Sequence, residues 1–331
     1  MPAGINQDDH MFSVREVPWH GLGAVLDKAP DSIEEAIHLS GLAWDVVQKP
    51  IAYHSLNSLD EPTFTAIPGY FANVRSDTGA SLGIVSRRYS PVQNIEAFSF
   101  LSGIFQSEMH FETAGSLMNG RRVWVMLKIP DYIEVGGDAI GQYAFIENAH
   151  DGKRSITAAV TPIRIVCQNT VTAAVRLAHD YNADRTYTLR HLGNMQAKME
   201  NAANVLRVTV NYYEQFKALG DLLAMAIPSQ ADVRAYLSGL FPITDQTGER
   251  QRRNREAARE QVQLIFEGHG PDGDTTGNSP RSWWSLYNAA VEHADWMREE
   301  RKDGGRFQRA IDDPGSFKAN AFDLALGGAG L

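Results

Sequence analysis

The sequence predicts an α+β fold, an antiparallel sheet of hairpins with an interposed helix followed by a mainly helical C-terminal region. Two observations carry this prediction. Strand-like alternation broken by Gly-containing turns fills most of the first 180 residues, and after Gln168 apolar positions recur at helical spacing behind capping residues. The expected partition is a sheet domain at 1–180, a helical region continuing from it at 181–267, a linker at 268–280, and C-terminal helices with a tail at 281–331.

Taken in order, Asp31 with Glu34 resembles a capping box and opens a short helix to about residue 42. Residues 43–54 alternate around Pro50, which lacks an N–H and so marks an edge strand or a bulge. Segments 70–75 and 81–88 flank the hairpin signal Asp77-Thr78-Gly79. Between 92 and 105, Val92, Ile95, Phe98, Leu101 and Phe105 share one helical face. A second hairpin spans 110–129 and closes at Asn119-Gly120, residues that readily take the positive φ of a type I′ turn. A third runs from about 140 to 161 and closes near His150-Asp151-Gly152. Alternate turns of an up-and-down meander lie at one end of the sheet, so these two Gly turns are expected to be neighbours.

Beyond Gln168, Asn169 or Thr170 can cap a helix to about residue 178, and a long helix is expected over 193–225. In it Met195, Met199, Ala202, Leu206, Thr209, Tyr213, Phe216, Gly220 and Leu223 form a seam that either packs on the sheet or pairs with another helix. Further helices are expected at 229–240, 247–266 and 280–300. The tail from Asp303 reads as short helices ending in a frayed, Gly-rich terminus.

The 331 residues are 43% hydrophobic and 21% charged, a composition that excludes a disordered, collagenous or coiled-coil chain. No apolar run is long enough to cross a membrane, and residues 1–10 are polar and acidic rather than those of a signal peptide, so a soluble, cytoplasmic protein without membrane contact is expected. The single cysteine, Cys167, rules out internal disulfides and cysteine-rich zinc sites. With a net charge of −9 the chain cannot coat duplex DNA by bulk basicity, so any nucleic-acid site must be local.

Such a site is visible in the basic pairs beside the turns, Arg87-Arg88, Arg121-Arg122 and Lys153-Arg154. If Val123, Val125, Leu127 and Ile129 form the buried face of their strand, Arg122, Trp124, Met126 and Lys128 share the other. An aromatic between cations suits a single strand, whose bases stack on the ring while the cations hold phosphate. The alternative is that this face is covered and Trp124 is core. The expected DNA-binding set is Arg87, Arg88, Arg121, Arg122, Trp124, Lys128, Lys153, Arg154 and Arg164. Arg250, Arg252, Arg253, Arg255 and Arg259, spaced by Glu249, Glu256 and Glu260, read either as a solvated face with i to i+4 ion pairs or as a phosphate-tracking helix.

Other chemistry is thinner. Cys167 ends a strand-like run before a helix cap, where its thiol could be activated with His150 or His191 as base. The ten histidines show no HExxH or HxH spacing, no P-loop is present, and Gly21-Leu22-Gly23 is too short for a dinucleotide fingerprint. Asp131, Glu134 and Asp138 are placed in a loop, where they offer a speculative cation site. No cofactor, metal or catalytic residue is expected.

Several linked segments resemble a known family. Pro18-Trp19-His20-Gly21-Leu22-Gly23, Thr113-Ala114-Gly115-Ser116-Leu117 with Gly120-Arg121-Arg122-Val123-Trp124, His150-Asp151-Gly152, Arg164-Ile165-Val166-Cys167-Gln168-Asn169-Thr170 and Trp284-Ser285-Leu286-Tyr287-Asn288-Ala289 are similar, in that order, to the phage/plasmid-like family of unknown function, domain of unknown function 932. Lys153 stands where that family usually has Ser after His-Asp-Gly, and Trp283 where it has a small residue. The resemblance implies residence on mobile DNA and assigns no reaction to any residue. The element order also resembles, at fold level, the core of ring-forming single-strand annealing proteins.

Together these features predict a single-stranded DNA-binding or annealing protein of phage or mobile-element recombination, acting as a homo-oligomer, for which a ring is one form. Two alternatives stand beside it: a protein-binding module that inhibits host defence or recombination through its acidic surface, and a Cys167-dependent enzyme.

Overall fold

The computed structural model describes residues 9–15, 23–57, 61–104, 110–164, 186–195, 197, 210–270, 281–294 and 317–331. It is an α+β structure. A seven-stranded sheet has the order β10-β9-β8-β7-β6-β1-β2, formed by β1 (Met11–Val14), β2 (Ala24–Leu26), β6 (His110–Leu117), β7 (Arg122–Val135), β8 (Asp138–Ala149), β9 (Ile156–Arg164) and β10 (Thr186–Leu189). A second sheet, β3-β4-β5, comprises β3 (Val46–Leu56), β4 (Pro62–Arg75) and β5 (Ser81–Ser86). Among the described residues the helices are α1 (Ile33–Leu39), α2 (Asn94–Ile104), α3 (Val210–Met225), α4 (Gln230–Leu240), α5 (Glu249–Phe266), α6 (Trp283–Glu292) and α7 (Phe317–Ala329). No helix among the described residues is long and apolar enough to cross a membrane.

Two compact units are present, and they are not serial. The first comprises 1–130, 144–160 and 186–208; the second comprises 131–143, 161–185 and 209–331. β7, β8 and β9 each have residues in both units.

In the first unit the hairpins follow their turn chemistry. Asn119 and Gly120 have φ of 60° and 84°, and the Arg121 amide donates to the Met118 carbonyl, as a turn with two left-handed central residues requires. Pro50 meets both of its expectations, since β3 is an edge strand and its register with β4 shifts between Pro50 and Ala52. The cap of α1 lies one residue later than expected: Ser32 accepts from the Glu35 amide, and Glu35 Oε2 accepts from the Asp31 amide. The alternation expected for 122–129 also fails. Val123, Trp124, Val125, Met126 and Leu127 are all buried, so this strand is covered on both faces and carries the continuous burial of an interior strand.

In the second unit the tip of the β7–β8 hairpin packs with the helices. Gly136 and Gly137 have φ of 56° and 88° and close a two-residue turn, so Glu134 and Asp138 stand on strands rather than in the loop expected there. Asp138 is buried and accepts from Trp284 Nε1 at 2.8 Å. Val135 and Ile140 join Phe216, Leu223, Leu237, Val262 and Phe322 in one apolar core. Of the seam expected over 193–225, Phe216, Gly220 and Leu223 lie in α3 and face this core, and a Cβ on Gly220 would stand 2.5 Å from Val135 Cγ1. That stretch of the seam is intramolecular packing; Met199 to Thr209 lie outside the described residues.

Of the tail expected from Asp303, residues 303–316 lie outside the described residues; residues 317–329 form one helix with Ala321, Phe322 and Ala325 buried in the core, and it continues through Gly327 and Gly328, where a frayed end was expected. In the Arg-rich helix α5, Arg250, Arg252 and Arg253 are exposed, as a solvated face requires, and three arginines also bond to backbone: Arg259 donates to the Phe241 carbonyl at 2.6 Å, Arg255 to the Pro242 carbonyl and Arg252 to the Thr244 carbonyl at 3.5 Å. Positions i, i+3 and i+7 thus give one face of α5 to the carbonyls that follow α4.

Candidate functional site

The site is built within the first unit, where three turns converge. Asp9 fixes the first, its carboxylate accepting from the amides of Asn119 and Gly120, each at 2.9 Å, and from Ser116 Oγ at 2.8 Å. The His150 amide donates to the Arg121 carbonyl at 2.8 Å, which joins this turn to the one beginning at Asp151. The two Gly turns are neighbours, as the meander predicted. In the second, Asp151 Oδ1 accepts from the Lys153 amide, and Gly152 leaves no room for a Cβ, which would stand 2.8 Å from Val85 Cγ1. The third follows β5, where the Tyr89 amide donates to the Ser86 carbonyl and the Arg87 amide to the Gly69 carbonyl.

The segment after β10 closes the site. Tyr89 pairs with Leu192 in a β-bridge, its ring stacks on His191 at 4.6 Å, and its hydroxyl donates to the Ala149 carbonyl at 2.9 Å. Together these elements enclose a cleft of about 340 Å³. Its polar wall includes Ser86, Tyr89, Lys153, Arg154, Arg190 and His191, and its apolar wall includes Ile84 and Leu192. Three cations and no carboxylate are among the described residues that line it.

Beneath the cleft lies a buried polar network. Asn94 Nδ2 donates to the Leu42 and Trp44 carbonyls, which turns Oδ1 toward His150 and makes His150 Nε2 the donor of their 2.9 Å bond. Asn73 Nδ2 donates to the His150 carbonyl at 2.7 Å. Burial, and next the charge of His191, pull the His150 pKa down to about 3. His191 Nδ1 donates to the Ser90 carbonyl at 3.2 Å, and burial takes its pKa down to about 4 against the opposing effects of that carbonyl and of Asp151. Both rings are therefore neutral at pH 7. Burial, then Asp151, push the Tyr89 phenol well above its usual range.

The expected basic set divides. Arg87, Arg88, Arg121 and Lys153 are exposed at the converging turns, and Arg154 lines the cleft. Arg122 and Trp124 are each 2% exposed, which corrects their reading as an open cation and stacking ring: the strand is covered on both faces, and Arg122 Nε pairs with Glu147 Oε1. Lys128 is half-buried on β7 and paired in register with His110. Arg164 ends β9, with its side chain outside the described residues, as is Cys167. His150, at 0% exposure, is structural. Among the described residues no group of three or more His, Cys, Asp or Glu side chains is placed to hold a metal ion.

Sequence reasoning missed Arg190 and the Tyr89–His191 stack, and it passed over β10. The signal was the run Thr186-Tyr187-Thr188-Leu189, whose β-branched and aromatic content is strand-like and whose next two residues are Arg190 and His191.

Neither a curated protein nor a solved structure matches the chain. A sequence model of one family, described as domain of unknown function (DUF932), matches residues 81–312, which includes every residue lining the cleft and well over half of the chain. The chain therefore belongs to the DUF932 family.

Proposed function

We propose that this protein binds single-stranded DNA and serves strand annealing in phage or mobile-element recombination, acting as a homo-oligomer. The observation that carries the reading is the cleft lined by Lys153, Arg154 and Arg190 without a carboxylate among its described lining residues, bordered by the exposed turns of Arg87, Arg88 and Arg121. Cations on turns can follow a flexible backbone, whereas the net charge of −9 repels DNA elsewhere on the surface and confines binding to the patch. In place of Trp124 the stacking ring is Tyr70, 50% exposed and paired in register with Ser86 of the cleft wall. Annealing by this route requires no catalytic group, since the backbone is held while base edges stay open to a complementary strand.

Binding of labelled single-stranded and duplex DNA across a salt series tests the reading. Single strands are expected to bind more tightly, with an affinity that falls with salt by a slope of about 0.7 per phosphate contact. Arg87→Ala with Arg88→Ala should weaken binding across sequences and flatten that slope. Tyr70→Ala should cost about 1–3 kcal/mol with the slope unchanged. Absence of single-strand binding at low salt overturns the proposal and turns attention to a basic protein partner for the acidic surface.

A further inference from the structure

We propose that the cleft holds a nucleotide through its phosphomonoester, presented at the end of a single strand; this rests on the single-strand reading above and names the part of the ligand the cleft takes. Three features of the cleft fit an end better than the middle of a strand.

Charge is the first. Lys153, Arg154 and Arg190 converge on one cleft, while a phosphodiester linkage carries a single negative charge. A phosphomonoester carries about 1.5 to 2 at neutral pH and has three acceptor oxygens to share among several cationic donors. Size is the second. A volume of about 340 Å³ lies at the small end of ligand sites and suits one nucleotide rather than a tract. Ile84 and Leu192, 62% and 41% exposed, give that nucleotide's sugar or base an apolar wall beside the charged one.

The third is the unused nitrogen of His191. The side chain lines the cleft and is only 4% exposed, its Nδ1–H is committed to the Ser90 carbonyl, and Nε2 has no partner among the described residues. With the ring neutral, Nε2 is a lone pair that only a donor can satisfy. A phosphodiester linkage in DNA offers no donor. A strand end offers the hydroxyl of a sugar or of a singly protonated phosphate, so an unsatisfied acceptor on a residue of the cleft wall matches an end.

The test uses the full-length protein and one oligonucleotide sequence carrying a 5′-phosphate, a 3′-phosphate or hydroxyls at both ends. Affinities are read by fluorescence anisotropy, with deoxyadenosine monophosphate titrated calorimetrically beside them. A phosphate at one end is expected to tighten binding about ten-fold, and the free monophosphate to compete for it. Arg190→Ala and Lys153→Ala remove exposed side chains, so the fold is retained; each should reduce the preference to less than about two-fold with an unchanged circular dichroism spectrum. Equal affinity for the three oligonucleotides overturns this inference and leaves the single-strand reading intact. A preference that survives both substitutions overturns the assignment to this cleft. Binding of the monophosphate without any oligonucleotide overturns the single-strand reading and retains the cleft as a nucleotide site, and binding of neither overturns both.

Discussion

His150, fully buried, and His191, in the wall of the cleft, are both held neutral by burial with a ring N–H committed to an oxygen. In the unfolded chain each titrates near the ordinary value of about 6.5. The folded rings, at about 3 and about 4, stay unprotonated well below that. Between these values the unfolded state binds more protons than the folded one, so stability is unaffected above about pH 7 and falls as the pH drops from 6.5 toward 4. Each ring contributes a slope approaching 1.4 kcal/mol per pH unit, which amounts to a loss of about 2 kcal/mol for the pair between pH 7 and pH 5.5. Urea titrations at a series of pH values measure it, with His191→Gln expected to show about half the slope; a flat profile from 7 to 5.5 contradicts the neutral pair. Arg122 illustrates the opposite case, a charge kept in the interior by a specific partner. Its pairing with Glu147 at 2% and 6% exposure fixes two neighbouring strands, and losing one partner would strand the other charge in the core.

At the level of elements, the C-terminal helix shows how packing overrides composition. Gly327 and Gly328 are adjacent in α7, yet a Cβ at Gly327 meets nothing within 4 Å, whereas one at Gly328 would stand 2.1 Å from the ring of Trp283. That ring is 4% exposed and edge-packed on Tyr236 at 5.9 Å, so it has little room to retreat. Gly327→Ala should raise the melting temperature, since alanine gains up to about 1 kcal/mol of helix propensity. Gly328→Ala gains the same propensity but overpacks the core by about 1–3 kcal/mol, so the net shift is downward. Thermal melts of the two variants decide it, and a rise in both would mean that α7 is not seated against Trp283. The same contrast explains what the sequence made legible. Asn119-Gly120, Pro50 and the helical face around Phe98 announce themselves through local chemistry, and the corresponding turn, bulge and helix form. Gly136-Gly137 is an equally local hairpin signal, and it puts Glu134 and Asp138 on strands rather than in the expected loop. Burial of Trp124 and docking of α7 had no local signature, because alternation within a strand cannot reveal whether a second layer covers it, and a Gly-rich end looks frayed until the ring that needs its space is known. Of the candidate site, the turn cations were visible as pairs, while Arg190 and His191 reach the cleft through a four-residue strand brought in from outside the meander.

The whole molecule is divided in space but not in sequence, and this has a consequence for dissecting it. The second unit takes 131–143 from the middle of the β7–β8 hairpin and most of the rest from beyond residue 208. Within that unit Val135 and Ile140, 0% and 2% exposed, owe their burial to side chains such as Phe216, Leu223 and Phe322 from the helices. A chain stopped at residue 208 keeps the hairpin tip and loses those partners. Each of the two side chains then returns to water at a cost of about 1.5–3 kcal/mol, and the Trp284 indole and Asn288 amide that bond to the buried Asp138 are lost as well. The fragment 1–208 is therefore expected to be less stable than the full chain and to associate through the exposed hairpin, despite containing the whole cleft. Size-exclusion chromatography and thermal melting of the fragment beside the full chain measure this, and a monomer with an unchanged melting temperature would show that the tip needs no helical cover. Replacing Val135 and Ile140 by threonine in the fragment should restore its solubility if the lost core is the cause, and binding studies of the cleft are accordingly best made on the intact protein.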